Sequence, residues 1–308
     1  MRIAIMGTGG IGGFYGAQLA LAGNDVWFIA RGAHLQAIRE HGLRVDSQAL
    51  GDLHVQPAQA TDNPVEVGAV DAVLVTTKAY DLESAAEAIR PMVGAETVVL
   101  PLLNGVDIAD RIGAHVGREH LLGGLCYISA AIAAPGMVRE AGAPNRVVFG
   151  ELDGGPSERV KRLETVMRDA GIPAEGSDDV QREIWRKFML IDAASGVSAV
   201  TASPMGPVLA DEDTRVLFVD CMREVEALAR RKGVDLPNNL VEESLAFARD
   251  KMPYDLKPSM LHDLEQGRKL EVDALNGTVA RLGREMGVET PVNRFIHAAL
   301  KLRAGGTA

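Results

Sequence analysis

Near the amino terminus, Gly7, Gly9 and Gly12 have the spacing of a phosphate-binding loop, G-x-G-x-x-G, directly after a short apolar run. In such a loop the first glycine allows a tight turn and the second lets the backbone approach a pyrophosphate. The third allows a helix to pack closely on a strand. The phosphates would lie against unpaired N–H groups at the positive end of the helix dipole. The pattern predicts a dinucleotide-binding loop, with a merely structural turn as the alternative. Its residues are Gly7, Thr8, Gly9, Gly10, Ile11 and Gly12.

The end of the second apolar run indicates which dinucleotide is bound. An NAD site usually has Asp or Glu about 20 residues after the loop, where the carboxylate holds the ribose 2′-hydroxyl. Here the run ends in Phe28-Ile29-Ala30-Arg31, and Asp25 comes too early. The Arg31 guanidinium can form charge-assisted bonds to a 2′-phosphate. We therefore expect NADP as the cofactor, and an ordinary surface arginine is the alternative.

The elements that must position these residues alternate through the first half of the chain. Four short apolar runs are each followed by a helical segment: 2–6, 25–30, 71–76 and 97–100. Buried strands that alternate with helices predict a doubly wound, Rossmann-type α/β fold with a parallel sheet. Three later runs are separated by turn signals at Pro135-Gly136 and 142–145, and they predict antiparallel strands that extend this sheet. These runs are 125–132, 137–141 and 146–149. A helix at 156–170 and a short strand near 173–175 follow.

Helical periodicity dominates the second half of the chain. Five segments share it: 179–200, 207–232, 238–250, 257–284 and 291–303. We therefore predict two domains, a Rossmann-type domain at 1–177 and an all-helical domain at 178–308. The segment 257–284 is longer than one domain face usually needs, which suggests a homodimer contact there.

Composition narrows the classes of function. The net charge of −10 argues against a nucleic-acid partner, and no run approaches the roughly 18 apolar residues of a membrane span. The two cysteines, Cys126 and Cys221, stand in no motif, which indicates core positions in a protein of the reducing cytoplasm. No His, Cys or acid spacing matches a metal site, and no G-x-S-x-G motif indicates a hydrolase.

Several separate segments together resemble the ketopantoate reductase (2-dehydropantoate 2-reductase) family over nearly the whole chain. Besides the glycine loop with Arg31, they are Leu74–Asp81, Leu103–Val106, Glu183–Phe188, Pro258–Asp263 and Glu271–Gly277. The resemblance implies a helical domain like that of 6-phosphogluconate dehydrogenase. It also implies NADPH-dependent reduction of a 2-keto acid, 2-dehydropantoate first, as in pantothenate biosynthesis.

The resemblance also implies a role for five residues. Lys187 corresponds to a catalytic lysine that protonates the carbonyl oxygen, and Glu271 corresponds to a catalytic acid that also contacts cofactor and substrate. Ser259 corresponds to a ligand of the substrate carboxylate. Asn104 and Lys78 correspond to groups beside the nicotinamide and the reacting carbonyl, with Asn104 also on the substrate.

These implied roles agree with elementary chemistry, because hydride attack on a ketone builds negative charge on oxygen that a lysine ammonium stabilises and protonates. Each residue has an ordinary alternative. Lys187 could be a solvated helix lysine, and Glu271 a surface glutamate. Asn104 could form a turn or a helix N-cap, and Ser259 could cap the helix that follows it.

The sequence departs from the family where the substrate would be read. The family commonly has asparagines four and eight residues after the catalytic lysine, on one helical face. This chain has Ile191 and Ser195 there, and Asp192 is one position off that face. Leu256 also stands where the biosynthetic enzyme often has Asn. Loss of polar groups that pair with a substrate changes specificity, so we expect a more apolar substrate-binding surface at Ile191 and Ser195.

Three hypotheses follow from these residues. The first is a ketopantoate-type reductase that uses NADPH. The second is a dehydrogenase of the same architecture for a different, more apolar 2-keto or 2-hydroxy acid. The third is a non-catalytic NADP(H) sensor, which would not need the proton donor Lys187.

Overall fold

The chain divides into an α/β unit and a helical unit. The computed structural model describes residues 1–142 and 145–306. The α/β unit consists of Met1–Leu103 and Asp107–Val180, and the helical unit of Asn104–Val106 and the chain from Gln181 onward. Three residues in the first half of the sequence, Asn104–Val106, therefore pack with the helical unit.

A parallel five-stranded sheet forms the centre of the α/β unit, in the order β5-β2-β1-β6-β7. Its strands are β1 Arg2–Met6, β2 Asp25–Ile29, β5 Gln59–Thr61, β6 Val70–Val75 and β7 Val93–Pro101. Fully buried side chains such as Ile3, Ile5 and Leu74 make these strands the core of the unit. This sheet, followed by a helical unit, confirms the predicted Rossmann-type fold class.

The helices of the α/β unit follow the strands. They are α1 Gly10–Leu21, α2 Gly32–His41, α3 Leu82–Ala88, α4 Ile108–Val116 and α5 Glu158–Asp169. Helix α1 places its glycines against the sheet, and Phe14 and Tyr15 are fully buried in the same core. The alternation of strand and helix thus brings the loop after β1 to the carboxyl edge of the parallel strands.

The remaining strands of the α/β unit form two further small sheets, not the predicted extension of one sheet. They are β3 Leu43–Ser47, β4 Gly51–Val55, β8 Leu122–Tyr127, β9 Ala130–Ala134, β10 Met137–Glu140, β11 Arg146–Glu151 and β12 Ala174–Gly176. The sheet orders are β4-β3-β10-β9 and β12-β11-β8. The antiparallel pairs β9–β10 and β8–β11 exist, but β10 also pairs with β3, which draws that hairpin away from the central sheet. The predicted run 125–132 is accordingly broken after Tyr127. Ala143 and Pro144, in the middle of the predicted turn at 142–145, lie outside the described residues.

The helical unit contains the rest of the helices. They are α6 Val180–Thr201, α7 Met205–Ala210, α8 Glu212–Arg231, α9 Leu240–Lys251, α10 Ser259–Glu265, α11 Asn276–Met286 and α12 Pro291–Leu300. Their buried faces form one apolar core that includes Trp185, Phe218 and Val272. In the described part of the chain, no helix is both long enough and apolar enough to cross a membrane.

Two predicted helices are wrong in the same way, because each is two helices. The segment 207–232 is broken at Asp211, whose carboxylate accepts a hydrogen bond from the Thr214 N–H at 2.9 Å and caps α8. The segment 257–284 is broken over 266–275, where Gly267 has a φ of +64° directly after α10. Residues 257–284 therefore do not form the single long helix from which a homodimer contact was predicted.

Candidate active site

The glycine loop connects β1 to α1 and is fixed to the end of β2. Gly7 has a φ of +99°, a left-handed conformation that favours glycine. The backbone N–H and the side-chain hydroxyl of Thr8 both donate to the Ile29 carbonyl oxygen, at 2.9 and 3.1 Å. Helix α1 then begins at Gly10, with Gly9 as its N-cap residue.

Each glycine of the motif has its own steric surroundings. A Cβ on Gly7 would lie 2.7 Å from Cγ2 of Thr77, and one on Gly12 would lie 2.7 Å from Cγ2 of Ile5. A Cβ on Gly9 would meet no atom within 4 Å. Gly7 and Gly12 are therefore closed in by the protein, whereas the backbone at Gly9 faces open space.

The start of α1 has the chemistry of a pyrophosphate site. No side chain caps this helix, and no acidic residue stands in its first turn, so its first N–H groups can bind an anion. Next to the loop, the buried Thr77 hydroxyl has no hydrogen-bond partner within the described residues. Open space at Gly9, uncapped donors and an unpaired hydroxyl together fit the phosphates of a dinucleotide.

Arg31 lies where β2 ends and α2 begins. It is the N-cap residue of α2 and is exposed. Among residues 1–142 and 145–306, its guanidinium makes no ion pair, unlike Arg39 of the same helix, which approaches Asp62 at 3.9 Å. Asp25 is the first residue of β2 and thus stands at the opposite end of the strand, where it accepts a hydrogen bond from Gln59 at 2.6 Å.

Two features beside the glycine loop escaped the sequence analysis. A Cβ on Gly10 would collide with the carbonyl oxygen of Ala130, so strand β9 lies directly against the first turn of α1. Nδ1 of His34 accepts a hydrogen bond from the Gly136 N–H at 3.0 Å, and burial lowers the pKa of this histidine. Neither contact has a local sequence signal, because each joins residues about a hundred positions apart or more.

Lys78 lies just beyond the carboxyl end of β6, the strand next to β1 in the central sheet. It follows β6 and precedes a short 3₁₀ turn, Ala79–Asp81, and it is half-buried. Two residues earlier, the Thr76 hydroxyl donates to the Gly7 carbonyl oxygen at 2.8 Å. The segment that carries Lys78 is therefore tied to the glycine loop.

In the helical unit, the structure brings Lys187 and Asn104 together. Nζ of Lys187 donates to Oδ1 of Asn104 at 2.8 Å, although the two residues are 83 positions apart in the sequence. Both side chains are half-buried. Trp185 and Phe188, which pack edge to face with ring centroids 6.2 Å apart, bury the other face of α6 and so orient the lysine. Asn104 is not a helix cap, because Asp107 is the N-cap residue of α4.

Lys187, Ile191 and Ser195 follow one another at intervals of four residues along α6. Lys187 and Ile191 are half-buried, and Ser195 is buried. Asp192 does not belong to this face, because it is fully buried and its Oδ2 accepts a hydrogen bond from the Cys221 thiol at 3.4 Å. It therefore does not replace the amide that the family commonly has at position 191.

Ser259 is the first residue of α10, and Glu271 lies within the break between α10 and α11. Glu271 is half-buried, and its carbonyl oxygen accepts hydrogen bonds from Ala274 and Leu275, at 3.0 and 3.1 Å. Ser259 is exposed at the first position of α10, whose N-cap residue is Pro258. Within the described residues, the N-cap position of α10 belongs to Pro258 and not to Ser259, which argues against the helix cap as an explanation for this serine. Leu256 is half-buried just before α10.

The described residues contain no group of three or more His, Cys, Asp or Glu side chains that could hold a metal ion.

Comparison with known proteins identifies the family of this arrangement. The family model described as Ketopantoate reductase PanE/ApbA matches residues 3–154, and the model for the C-terminal part of the same family matches residues 179–304. The chain belongs to the ketopantoate reductase family. It is an oxidoreductase of that family, whose members bind NAD(P)H.

Similarity to individual relatives extends over the whole chain. A 2-dehydropantoate 2-reductase of Mesorhizobium japonicum is 36% identical and covers 94% of both chains. An uncharacterized oxidoreductase of Bacillus subtilis, YkpB, is 33% identical and covers 98% of both chains. The crystal structure of a PanE/ApbA family ketopantoate reductase from Ralstonia eutropha has a TM-score of 0.90 and 35% identity, with 99% of this chain and 98% of that chain covered.

A further solved structure of similar fold is that of an enzyme named for a different acid. D-mandelate dehydrogenase, solved with NADH and anilino(oxo)acetate, has a TM-score of 0.88 and 26% identity, with 99% of this chain and 98% of that chain covered. The same fold therefore serves more than one 2-hydroxy acid, and membership of the family does not by itself name the substrate.

Proposed function

We propose that this protein uses NADPH to reduce a 2-oxo acid to the 2-hydroxy acid, with 2-dehydropantoate as the first candidate substrate. The observation that carries the proposal is the 2.8 Å hydrogen bond between Nζ of Lys187 and Oδ1 of Asn104, in a chain of the ketopantoate reductase family. Asn104 accepts one N–H of the ammonium and so fixes the direction in which the lysine presents the others.

The proposed chemistry at Lys187 follows from charge. The bound cofactor supplies the hydride, and negative charge develops on the carbonyl oxygen as the hydride arrives. An ammonium at that oxygen stabilises the charge and donates the proton that completes the alcohol. Glu271 is proposed as the second catalytic acid, and Ser259 and Lys78 as groups that bind or attract the substrate carboxylate.

The preference for NADPH rests on Arg31. Its guanidinium is exposed at the carboxyl end of β2 and makes no ion pair within the described residues, so it is available to a 2′-phosphate. No carboxylate stands at that end of the strand to hold a ribose 2′-hydroxyl, which is the usual device of an NAD site. The glycine loop is proposed to bind the pyrophosphate.

A second candidate substrate is a 2-oxo acid with a bulky apolar tail. Ile191 is half-buried one turn beyond Lys187 and cannot hydrogen-bond a substrate hydroxyl. A relative that covers nearly the whole chain is a D-mandelate dehydrogenase. An apolar group beside the proton donor favours an aryl or branched alkyl tail over the hydroxylated tail of ketopantoate.

A panel of 2-oxo acids, assayed by NADPH oxidation, separates the candidates. We expect turnover of ketopantoate if the first proposal holds. Preference for phenylglyoxylate or another apolar acid by about tenfold or more in kcat/KM would support the second. Binding of NADPH without turnover of any acid would contradict both and favour a sensor.

The variant Ile191→Asn sharpens this assay, because it places an amide four residues after the lysine. We expect it to shift kcat/KM toward ketopantoate and away from the apolar acid by about one to two orders of magnitude. Val200→Asn is the matched control, because this half-buried valine of the same helix lies nine residues after Ile191 and therefore on the opposite helical face; it should leave the ratio unchanged.

A further inference from the structure

A chain of buried polar side chains crosses the core of the helical unit. It joins four helices and includes Asp192 of α6, Cys221 and Glu224 of α8, Asn276 of α11 and Asn293 of α12. The Glu224 carboxylate accepts from the N–H groups of Val292 and Asn293, at 2.8 and 2.9 Å, and from the Asn293 amide at 2.7 Å. The Glu224 side chain of α8 therefore caps the amino-terminal end of α12.

Asn276 connects that cap to α6. Its side-chain Nδ2 donates to Oδ1 of Asn293 at 2.9 Å and approaches the backbone oxygen of Asp192 at 3.5 Å. Asn276 is fully buried, and its own Oδ1 has no hydrogen-bond partner within the described chain.

Gly196 lets the Asn276 amide lie against the backbone of α6. A Cβ on Gly196 would come within 2.7 Å of both Nδ2 and Oδ1 of Asn276. A glycine in the middle of a helix costs about 1 kcal/mol relative to alanine. The close approach of the amide gives that glycine a physical reason, and it fixes where α11 starts relative to α6.

Stability alone does not account for the asparagine. A buried amide with an unpaired oxygen loses the hydration of that oxygen without full compensation. What the amide provides and a leucine does not is a directional contact between α6 and α11.

The two ends of that contact carry the proposed catalytic groups. Lys187 precedes Gly196 on the single helix α6, and Glu271 precedes Asn276 by five residues. The turn between Glu271 and Asn276 is tight, because Ala274 donates to the Glu271 carbonyl at 3.0 Å and Gly277 donates to that of Val272 at 2.8 Å. A shift of Asn276 along α6 would therefore carry Glu271 with it.

We propose that Asn276 is a positioning residue, whose amide holds the turn of Glu271 in register with the helix of Lys187. The inference rests on the proposed function, because it assigns the proton-transfer step to those two side chains. Asn276 itself touches neither the cofactor nor the substrate in this account. A misplacement of about 1 Å in such a group lowers a rate by about a hundredfold.

The test compares Asn276→Leu with wild type in the full chain. We expect kcat for the best 2-oxo acid to fall by about ten- to a hundredfold, while the Kd for NADPH stays within about twofold. The melting temperature should fall as well, because the buried Oδ1 of Asn293 loses its donor. The matched control is Val241→Ala, which leaves a cavity at a buried position of α9 in the same core. It should lower the melting temperature and leave kcat unchanged.

Gly196→Ala reaches the same contact from the other side, which keeps the proposal testable if Asn276→Leu folds poorly. We expect Gly196→Ala to lower kcat about tenfold or more, and to add less than about twofold in an Asn276→Ala background, where its Cβ meets no amide. Crystal structures of the two single variants without ligands should show the Glu271 turn displaced along α6 by about 1 Å.

The outcomes separate this inference from the proposed function. An active wild type with Asn276→Leu within twofold in kcat overturns the positioning role and leaves the proposed function standing. A wild type inactive on every acid overturns the proposed function, and the crystal structures then decide the positioning role. A Glu271 turn that stays in place in both single variants overturns it.

Discussion

At the scale of single residues, the contact between Lys187 and Asn104 determines what the helical unit can do. The amide oxygen is a neutral acceptor, so it orients the ammonium without adding a negative charge that would hold the proton. A carboxylate in the place of Asn104 would form an ion pair and oppose release of the proton to a substrate. The neutral partner therefore suits the role of proton donor that we propose for Lys187.

Replacing Lys187 tests that role. We expect Lys187→Ala to lower kcat by about two to four orders of magnitude, because proton donation and charge stabilisation are both lost. NADPH binding, measured by fluorescence titration, should change less than about twofold. The exposed neighbour Arg186 provides the control, since Arg186→Ala removes a cation from the same helix without touching Asn104. Unchanged turnover of Lys187→Ala would remove this residue from the mechanism.

The cofactor prediction belongs to Arg31. Arg31→Glu replaces a cation at the end of β2 with an anion, which repels a 2′-phosphate and suits a ribose 2′-hydroxyl. We expect the Kd for NADPH to rise about tenfold or more, and that for NADH to stay the same or fall. Arg39→Glu, which makes the same change about two helical turns further along α2, controls for the change in net charge. An equal loss of both cofactors would contradict the assignment.

Candidate site residues could be predicted from the sequence where a local pattern or a family motif contains them. The glycine loop and Arg31 follow from spacing, because a turn, a strand end and a helix start lie within about 25 residues. Lys187, Glu271 and Ser259 were found through the resemblance. The Lys187–Asn104 pairing itself was not predicted, because nothing local reports a contact across 83 positions. In the sequence, Asn276 is only one residue of the Glu271–Gly277 motif. Its contacts with Gly196 and Asn293 are seen only in the structure.

At the scale of elements, two glycines at the start of α1 are required for different reasons, one for packing within the protein and one for the approach of a ligand. Gly12 is needed by the protein, since a Cβ there would press on Ile5 and on the Gly7 carbonyl. Gly9 has no such constraint within the protein, since its Cβ position is open and its φ of −89° is accessible to alanine. Only a ligand that approaches the backbone would require a glycine at position 9.

This difference gives a paired prediction. Gly12→Ala should lower the free energy of unfolding by about 1–3 kcal/mol, because the extra methyl overpacks the helix against the strand. Gly9→Ala should leave the melting temperature unchanged but raise the Kd for NADPH about tenfold or more. Thermal unfolding and cofactor titration of both variants provide the measurement. Full NADPH affinity in Gly9→Ala would show that the pyrophosphate does not lie against this backbone.

Strand and helix order followed from the sequence, whereas the breaks and pairings depended on contacts that it does not display. Alternating apolar runs predicted the strands β1, β2, β6 and β7 of the central sheet and missed the edge strand β5, which is only three residues long. The hairpin of β3 and β4 was missed, although Leu43, Val45 and Ser47 alternate inward, because five residues of such alternation are a short signal. The merged helices at 207–232 and 257–284 were wrong because apolar periodicity continues across Asp211 and Gly267, where capping and a left-handed turn end each helix.

At the scale of the whole molecule, an acidic protein must bind an acidic cofactor and an acidic substrate. The net charge is −10, so binding depends on local positive groups that act against the overall field. The groups that we propose for this binding are Arg31 and the start of α1 in the α/β unit, and Lys187 in the helical unit. Such local sites act at short range, where screening by salt is weaker than for distant charges.

The stability of the helical unit should carry the signature of one buried carboxyl group. Asp192 is fully buried, and burial raises its pKa from 3.8 to about 8, with the nearby Glu224 carboxylate acting in the same direction. The folded protein therefore binds a proton that the unfolded chain has already released above about pH 4. The stabilisation from that proton is complete below the unfolded pKa and is lost as the pH rises toward 8.

Asp192→Asn tests this, because an amide of the same shape never ionises. Relative to the variant, wild type should lose stability by up to about 1.4 kcal/mol per pH unit between pH 5.5 and 8, and no more above pH 8. Melting temperatures of both proteins across this range measure the difference. Asp213→Asn, an exposed carboxylate in the first turn of α8, should shift stability by the same amount at every pH. A constant gap between wild type and Asp192→Asn would mean that Asp192 does not take up its proton in this range. The polar chain through the helical core would then contain an ionised carboxylate, which only donors closer than the Cys221 thiol could hold there.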